Sequence, residues 1–427
     1  MTGPAARPAG VGGVFSWAVY DWASSSFNTV IGTFVFSVYF MEGIYGDVTR
    51  GTAAWGFAIG VSGIIVAVLA PILGSLADRL GRRKPWLAAL VLLTILPTAL
   101  LWFAEPNTSY ITYTLILVVI ASVAFELAGV FYNAMLPDVA PPGMIGRVSG
   151  WSWGMGYMGG LASLAVVLFL LVGLPGAPGL LGLPTEDAAS VRATGPMVAL
   201  WFGLFALPLF LRTPDRPART MAFGKAIRGG LHDLVTTIRS LRHRGSILRF
   251  LIASALYRDG LSTLFAVGGL YAAGTIGMTL EEVLIFAIGL NVTAGIGAAL
   301  FGFIDDRIGS KTTILAALCG LMGFGTALLI VDQLTLFIVL ALCLGLFVGP
   351  AQAASRSLLA RLAPEEEVTK MFGLYALTGK SIAFVGPLLF ATVTDAFDSQ
   401  RIGMTVILAL FIAGTLLLLT VKAPYRR

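Results

Sequence analysis

Twelve long apolar runs constrain this chain more than any other feature of its sequence. A helix needs roughly 20 apolar residues to cross the hydrocarbon core of a bilayer. The predicted spans are 14–40, 54–77, 86–104, 110–136, 148–173, 196–212, 247–273, 282–304, 312–331, 334–360, 370–393 and 401–421. Charged residues make up 12% of the chain, about half the share of a soluble domain. The sequence therefore predicts an all-α integral membrane protein.

A short polar segment between the second and third runs is repeated in the second half of the chain. It reads Gly-Ser-Leu-Ala-Asp-Arg-Leu-Gly-Arg-Arg-Lys at 74–84, and Gly-Phe-Ile-Asp-Asp-Arg-Ile-Gly-Ser-Lys follows 228 residues later at 302–311. A second similarity, at an offset of 223 residues, aligns segments of 133–150 with segments of 356–373. Such a repeat in a chain of twelve spans predicts two pseudo-symmetric bundles of six helices, with a site between them near mid-membrane.

The longest linker divides the predicted bundles. The expected organisation is a disordered cytoplasmic tail at 1–13, a first bundle at 14–212, a cytoplasmic linker at 213–246, a second bundle at 247–421 and a tail at 422–427. Within the linker, apolar residues from Ile227 to Leu241 recur every three or four positions. This spacing predicts an amphipathic helix on the inner membrane surface, with an acidic protein partner as the alternative.

The distribution of basic residues predicts the orientation of the chain. Of 28 lysines and arginines, the predicted outer loops hold only Arg50, Arg192 and Arg401. Basic residues concentrate in loops on the cytoplasmic side of membrane proteins, so both termini are expected to be cytoplasmic. The same placement between apolar runs argues against a nucleic-acid surface. The expected location is the cytoplasmic membrane of a bacterium.

Five ionisable residues lie deep within predicted spans, where each one costs on the order of 3 kcal/mol or more. They are Asp21, Glu126, Arg258, Asp259 and Lys380. One interpretation is a set of structural ion pairs; the other is a polar cavity for a charged or zwitterionic solute and a proton. The neutral residues Asn291, Gln352 and Tyr257 would add hydrogen bonds to such a cavity.

Proton coupling would have to use a carboxylate, because both histidines, His232 and His243, lie in the central linker. The deep candidates are Asp21, Glu126 and Asp259. Burial can raise the pKa of a carboxyl group into the working range.

No sequence motif indicates an enzyme. The stretch Gly-Ser-Lys-Thr-Thr at 309–313 lacks the glycine spacing and the preceding strand of a phosphate-binding loop. Cys319 and Cys343 lie within apolar runs and predict neither a disulfide framework nor a metal site. We therefore expect no catalytic activity, no metal and no cofactor.

The two polar loops resemble the signature of the major facilitator superfamily between spans 2 and 3 and its weaker copy between spans 8 and 9. The resemblance covers essentially the whole chain and implies a monomeric, twelve-span transporter. In that family the loop aspartate, here Asp78, tethers the inner ends of helices in the outward-facing state. The resemblance thus implies gating roles rather than substrate contacts for Asp78, Arg79, Arg83, Asp306 and Arg307.

Four further segments resemble the vacuole-effluxer branch of that superfamily, whose fungal members are associated with amino-acid release from the vacuole. They are 20–27, 257–260, 352–357 and 373–380. We therefore expect a proton-coupled exporter of amino acids or similar small solutes that works by alternating access.

In this hypothesis Lys380 or Arg258 receives a substrate carboxylate, Glu126 or Asp259 receives an ammonium group or the proton, and Asp21 is the alternative proton site. Two alternatives remain open. One is a different cargo, such as a lipid, peptide, sugar or drug; the other is a membrane sensor or scaffold that transports nothing.

Overall fold

The computed structural model describes residues 9–174, 177–184, 186–219 and 223–423. Within them, twelve helices are long and apolar enough to cross a membrane, which confirms the predicted all-α, twelve-span fold. Spans 1 to 12 are Val11–Ile44, Val48–Leu80, Lys84–Phe103, Thr108–Ala134, Ile145–Val172, Glu186–Arg212, Gly245–Gly274, Glu281–Ile308, Ser310–Leu328, Leu334–Leu362, Glu365–Phe397 and Gln400–Leu419. Span 1 begins inside the predicted tail 1–13, of which 1–8 lie outside the described residues, as do 424–427 of the second tail.

The chain forms two compact units. The first unit comprises residues up to Leu69, Arg82–Val139 and Met155–Pro217, which include spans 1, 3, 4 and 6. The second comprises Ala70–Gly81, Ala140–Gly154 and Ala218–Arg427. It therefore contains spans 7 to 12 together with one end of span 2 and one end of span 5. These ends adjoin the loops predicted to be cytoplasmic, and we call them inner ends.

In the first unit, span 1 packs against span 6, and span 3 packs against spans 4 and 6. Aromatic side chains join span 1 to span 4. The Trp17 and Tyr132 rings stack with centroids 4.4 Å apart, and the Tyr132 hydroxyl donates to the Trp17 carbonyl oxygen at 3.0 Å. Tyr20 stacks on Tyr132 at 4.4 Å. This stack fixes the part of span 1 that carries Asp21.

In the second unit, span 8 packs against span 10, span 9 against span 10 and span 7 against span 12. A cluster of buried residues fills the region between spans 7, 8 and 10. It includes Tyr271, Met278, Phe286 and Phe337. The pairing of spans 7 and 12 and of spans 9 and 10 matches the pairing of spans 1 and 6 and of spans 3 and 4 in the first unit, as the internal repeat predicts.

Spans 1, 5 and 11 are interrupted by π-helical stretches or by a break between two helices. Span 1 contains π-helical stretches at Phe27–Phe34 and Phe40–Ile44. Span 5 ends in another at Val167–Val172, followed by a hairpin of two short strands, Gly173–Leu174 and Ala177–Pro178. Span 11 is divided into helices Val368–Ile382 and Val385–Phe397. Interrupted helices leave backbone groups that other side chains can contact.

The repeated loop ends a helix in the same way in both copies. Span 2 is followed by Gly81 with φ +88° and span 8 by Gly309 with φ +90°. Residues with a Cβ rarely adopt this conformation, whereas glycine ends helices in it readily. The backbone conformation therefore explains why both copies have glycine at this position.

A lysine after each loop caps the last helix of its own half. Lys84 Nζ donates to the carbonyl oxygen of Phe210 at 3.0 Å and to that of Thr213 at the end of span 6. Lys311 Nζ donates to the carbonyl oxygens of Leu419 at 2.7 Å and Val421 at 2.8 Å at the end of span 12. A positive charge is favourable at the carboxyl end of a helix.

The linker contains a helix at Phe223–Leu241, but its apolar residues do not share one face. Leu234 and Leu241 are buried in the second unit, whereas Leu231 and Ile238 are exposed. The side chain of Ile227 lies outside the described residues. The expected single membrane-facing stripe is therefore divided between a packed face and an exposed face.

Candidate functional site

The carboxylate of Asp78 lies at the amino end of span 11. Its two oxygens accept hydrogen bonds from the backbone N–H groups of Thr369 at 3.1 Å and Lys370 at 2.8 Å. These groups are among the first of helix Val368–Ile382, where backbone donors have no partner within the helix. A negative charge is also stabilised there by the helix dipole. Asp78 thus caps a helix that is distant in sequence.

Two glycines allow span 2 to approach span 11 closely enough for this contact. A Cβ at Gly74 would lie 2.6 Å from the carbonyl oxygen of Thr369, and one at Gly373 would lie 2.5 Å from that of Ala70. Backbone atoms cannot move aside cheaply in two packed helices. Glycine is therefore required on both sides of the contact.

The second copy of the loop makes an equivalent contact at the amino end of span 5. Asp306 accepts from the backbone N–H groups of Gly146 at 2.8 Å and Arg147 at 3.0 Å. Here too glycines permit the approach: a Cβ at Gly150 would lie 2.3 Å from the carbonyl oxygen of Ala298. We call Asp78 and Asp306 the two capping carboxylates.

The arginines that follow the capping carboxylates differ. Arg79 forms a two-bond ion pair with Asp233 of the linker helix, with Nε and Nη2 at 2.6 and 2.8 Å from the carboxylate oxygens. The hydrogen bonds from Arg79 lower the pKa of Asp233 below its ordinary value. Arg307 is exposed and forms no hydrogen bond or ion pair within the described part of the chain. The gating role implied for Arg307 thus has no contact to support it here.

Arg79 also depends on a glycine of the linker helix. Its guanidinium lies against Gly229, four residues before Asp233, and a Cβ at that position would be 1.9 Å from Nη1. Nearby, Ser75 donates to the carbonyl oxygen of Gly230 at 2.8 Å. The linker helix is therefore fitted to the inner end of span 2 by backbone shape as well as by charge.

Arg83 belongs to the first unit and has a different set of partners. It is 1% exposed, donates to the carbonyl oxygen of Ala134 at 2.8 Å and forms an ion pair with Asp138. In the repeat, Asp138 aligns with Arg361, which pairs instead with Asp305 of span 8. Asp305 aligns with Ala77 rather than with Arg83, so the two copies use different pairs at this point. These contacts assign Arg83 to holding spans 3 and 4 together.

A buried arginine joins span 10 to the inner end of span 5. Arg356 is 2% exposed; its Nε donates to Ser149 Oγ at 2.9 Å and its Nη2 to the Ser149 carbonyl oxygen at 2.7 Å. The guanidinium lies 4.9 Å from the centroid of the Trp153 ring. Hydrogen bonds and an aromatic face satisfy this charge in the membrane region.

Arg258, near the middle of span 7, forms no ion pair with any residue that the structure describes. Its guanidinium lies 4.1 Å from the centroid of the Tyr375 ring, and Nη1 donates to the Tyr375 carbonyl oxygen at 3.4 Å. A Cβ at Gly379 would lie 3.1 Å from Nη1, so the guanidinium borders the residue before Lys380. A guanidinium has five N–H donors. Most of the N–H donors of Arg258 have no acceptor among the described residues.

The two neighbours of Arg258 are buried. Tyr257 is fully buried and its hydroxyl donates to Ser355 Oγ at 2.6 Å. Tyr257 was expected to bind substrate, but in this structure it has no surface for a ligand and instead ties span 7 to span 10. Asp259 is 3% exposed, and its Oδ2 accepts from the Gly386 N–H at 2.7 Å, at the amino end of the second helix of span 11. Its Oδ1 has no hydrogen-bond partner in the described residues.

The other predicted site residues are partly accessible and are divided between the two units. Asp21 and Glu126 lie in the first unit, and Asn291, Gln352 and Lys380 in the second. Asn291 donates to the carbonyl oxygen of Ala287 at 2.8 Å in its own helix. The Cβ of Asp21 lies beside span 5, 3.5 Å from where a Cβ of Gly156 would be.

The sequence did not identify several residues that contact the predicted site residues. Asp233, Gly229 and Tyr375 carried no signal that identifies them as partners of arginines. Lys370 had one, because the repeat aligns it with Arg147, and both residues donate a backbone N–H to a capping carboxylate. Comparing the two copies position by position would have found this contact.

Comparison with known proteins places the chain among membrane transporters. Residues 43–426 match the family described as vacuole effluxer Atg22 like. An uncharacterized MFS-type transporter of Bacillus subtilis (strain 168), YxiO, is 27% identical over 406 residues, which cover 94% of this chain and 93% of that protein. Autophagy-related protein 22-1 of Aspergillus fumigatus is 26% identical over 281 residues, or 60% of this chain. The match covers 44% of that fungal protein, so the chain spans less than half of its length.

A solved structure shows the same fold at low sequence identity. It is that of XylE, a major facilitator superfamily proton:xylose symporter, which matches with a TM-score of 0.74 over 96% of both chains at 15% identity. Identity this low supports the fold alone. The predicted twelve-helix architecture is thereby confirmed.

Proposed function

The chain belongs to the vacuole effluxer Atg22-like family within the major facilitator superfamily, and we propose that it exports amino acids or related zwitterions by proton-coupled alternating access. A transporter of that superfamily is what the family match and the fold support. The cargo, the direction and the coupling are our proposal. We further propose that the chain is a monomer in a bacterial cytoplasmic membrane with both termini in the cytoplasm.

The proposal for the cargo rests on the contacts of Arg258, which forms no ion pair with the described residues. A charge within a membrane span is normally paired with an opposite charge or with backbone carbonyls. Arg258 has a ring face and one long hydrogen bond, at 3.4 Å. A carboxylate fits two parallel N–H donors of a guanidinium. We propose that the carboxylate of the substrate binds Arg258, with Lys380 as the second cation.

We assign Glu126 from its accessibility and Asp259 from its hydrogen bonds. Glu126 is partly accessible within span 4, and we propose that it receives the ammonium group. Asp259 is the favoured proton site because a proton can add to its Oδ1 without breaking a hydrogen bond. Asp21 is the alternative proton site. Asn291 and Gln352 would supply hydrogen bonds from uncharged groups. The buried Tyr257 would fix the part of span 7 that carries Arg258 through its bond to Ser355.

The two capping carboxylates supply the gating step of this proposal. Alternating access requires inner contacts that form and break as the protein cycles. Asp78 and Asp306 contact helices distant in sequence through two backbone N–H groups each. Such contacts can be released without leaving a buried side chain unpaired if water then reaches both partners.

The test uses the purified full chain in detergent and in proteoliposomes. Thermal stabilisation is measured with amino acids, dipeptides, sugars and lipids at two pH values, since a ligand of the folded state raises Tm. Counterflow of the best ligand is then compared in wild type, Arg258→Gln and Arg249→Gln. Arg249 is the matched control: it is an exposed arginine of span 7 whose Nη1 donates to the Thr420 carbonyl oxygen at 2.9 Å.

The outcomes separate the alternatives. Stabilisation by amino acids that disappears in Arg258→Gln but persists in Arg249→Gln supports the proposal. Stabilisation by lipids or sugars alone would show that the cargo is not an amino acid. A folded protein that responds to no ligand and shows no counterflow would favour the sensor or scaffold.

A further inference from the structure

The linker helix Phe223–Leu241 has two faces with different surroundings. Ala226, Leu234, Thr237 and Leu241 are buried in the second unit, at 0%, 7%, 4% and 8% exposure. Leu231, Val235 and Ile238 are 43%, 46% and 47% exposed. Positions four and three residues apart lie on one side of a helix, so these three form a continuous stripe. We call it the exposed stripe.

Basic residues accompany the exposed stripe. Lys225, Arg228, Arg239 and Arg242 are all exposed, and helical spacing places Arg228 and Arg239 beside Leu231 and Ile238. The single acidic residue of the helix, Asp233, faces the other way, toward Arg79. The charged side chains that this helix places beside the stripe are therefore basic, which fits an anionic partner.

The chain itself limits where this stripe can be. Leu241 ends the linker helix, and span 7 begins at Gly245. The intervening residues reach at most about 14 Å even when fully extended. The carboxyl end of the linker helix is therefore held close to the start of span 7. An apolar stripe flanked by arginines suits the membrane interface, where side chains insert between the headgroups.

The packed face of the same helix is bonded to the elements that carry the Asp78 contact. Asp233 pairs with Arg79, one residue after Asp78. Thr237 Oγ1 accepts from Lys370 Nζ at 2.7 Å, and Lys370 supplies a backbone N–H to Asp78. Lys370 Nζ also donates to Glu367 at 2.9 Å, and Glu367 pairs with Arg244 just beyond the linker helix. One rigid helix thus joins the exposed stripe to the capping contact.

We propose that the linker helix docks its exposed stripe into an anionic lipid leaflet and that this docking stabilises the contact between Asp78 and span 11. Both faces can be satisfied at once, because the stripe is exposed in the same structure in which Asp233 and Thr237 hold Arg79 and Lys370. An anionic leaflet therefore favours the arrangement in which the inner ends of spans 2 and 11 are joined. The effect on gating rests on the proposed gating role; the docking itself does not.

The first experiment locates the stripe without using any cargo. A fluorescent label is attached to Val235→Cys in the full chain, with Cys319 and Cys343 replaced by alanine. The protein is reconstituted in phosphatidylcholine alone or with a quarter phosphatidylglycerol, and quenching by doxyl-labelled lipid is compared with quenching by aqueous iodide. We expect lipid quenching to rise and iodide quenching to fall when the anionic lipid is present. A label that stays open to iodide in both vesicles would overturn the docking and point to a soluble protein partner.

Two variants test whether charge is the cause. Arg228→Gln combined with Arg239→Gln should abolish the response to phosphatidylglycerol. Arg249→Gln combined with Lys422→Gln removes the same charge from exposed residues at the ends of spans 7 and 12 and should keep the response. Equal loss in both pairs would show a general attraction of the basic protein to the membrane and would contradict a specific stripe.

The second experiment tests the connection to the capping contact. Hydrogen exchange at the amides of Thr369 and Lys370 should slow in vesicles with phosphatidylglycerol. Asp233→Asn should keep the quenching response but lose the slowing, because it weakens the link to Arg79. Docking without any change in exchange would overturn the coupling. Neither experiment depends on transport, so a failure of the proposed cargo leaves both results interpretable.

Discussion

Asp306 holds Arg147 at two points: its Oδ2 accepts from the backbone N–H at 3.0 Å and from the side-chain Nε at 2.9 Å. Asp78 accepts from the backbone N–H of its counterpart Lys370 at 2.8 Å, whereas the Lys370 side chain donates to Glu367 and Thr237. The two halves therefore share a backbone contact and differ in the side-chain contacts around it.

Replacing each capping carboxylate by asparagine should loosen only the helix that it caps. An amide keeps an acceptor oxygen but loses the charge, which at a helix amino end contributes about 1 kcal/mol. This corresponds to roughly a fivefold change in the population of the open contact. Hydrogen exchange should quicken at Thr369 and Lys370 in Asp78→Asn, and at Gly146 and Arg147 in Asp306→Asn. Each variant is the control for the other, and equal changes at both helices would contradict separate caps.

Adding a methyl group to Gly229 should displace Arg79. The new Cβ would overlap the guanidinium, at 1.9 Å from Nη1, so the pair with Asp233 would be lost, at a cost of about 0.2–1 kcal/mol. Gly224→Ala is the matched control, because a Cβ there meets nothing within 4 Å. Both substitutions replace glycine in the same helix by a better helix former, which contributes up to about 1 kcal/mol. The Tm of Gly224→Ala should therefore exceed that of Gly229→Ala; identical values would show that Arg79 does not need this space.

The pair between Arg79 and Asp233 should resist acid until well below neutral pH. Its hydrogen bonds lower the pKa of Asp233 in the folded protein, so the pair's contribution to stability is complete above the ordinary aspartate pKa of about 3.9. It is lost as the pH falls through the lower, folded value. The difference in Tm between wild type and Asp233→Asn should be constant near neutral pH and shrink only in acid. A difference that changes between neutral and mildly acidic pH would assign the titration to another group.

The sequence alone predicted the twelve spans because bilayer thickness sets a length that apolar composition reveals directly. The repeat also identified Asp78 and Asp306 as equivalent, because each lies in a short segment whose residues are contiguous in the sequence. The partners of Arg79 and Arg258 were not predictable in this way. Asp233 lies 154 residues from Arg79, and nothing in the periodicity of the linker marks it as a partner. Pairing between distant segments depends on packing, which local patterns do not determine.

The linker illustrates a second limit. The spacing of Leu231, Leu234, Ile238 and Leu241 is equally compatible with one apolar face and with two adjacent faces. Contact with the second unit buries Leu234 and Leu241 and leaves Leu231 and Ile238 exposed. Helical periodicity gives the direction of each side chain but not the identity of the surface opposite it.

The ring of Tyr375 should be needed to hold Arg258 ready for a carboxylate. A cation over an aromatic face gains about 0.5–2 kcal/mol, depending on how far it is desolvated. Tyr375→Leu should therefore weaken amino-acid binding several-fold, whereas Tyr375→Phe keeps the aromatic face and should bind normally. Ligand affinity from thermal shift or calorimetry distinguishes them. Loss of binding in both variants would mean that the hydroxyl, rather than the ring face, is required.

Substitutions of Asp259 can distinguish a structural role of this residue from a role in proton coupling. Its Oδ2 accepts from the Gly386 N–H at the start of the second helix of span 11, while Oδ1 is buried without a hydrogen-bond partner among the described residues. Asn in this place keeps an acceptor for Gly386 but cannot release a proton, whereas Ala removes the acceptor and leaves an unsatisfied N–H at about 1–3 kcal/mol. Asp259→Asn should therefore keep its Tm and exchange labelled substrate across proteoliposomes, yet fail to accumulate it under a proton gradient.

The matched substitution in span 4 completes this prediction. If Glu126 receives the ammonium group, Glu126→Gln should lose substrate exchange as well as gradient-driven accumulation, because binding itself is impaired. Asp259→Ala should lower Tm in addition to abolishing accumulation. An Asp259→Asn protein that still accumulates substrate with wild-type pH dependence would move the proton to Asp21 or Glu126 and leave Asp259 as the cap of a broken helix.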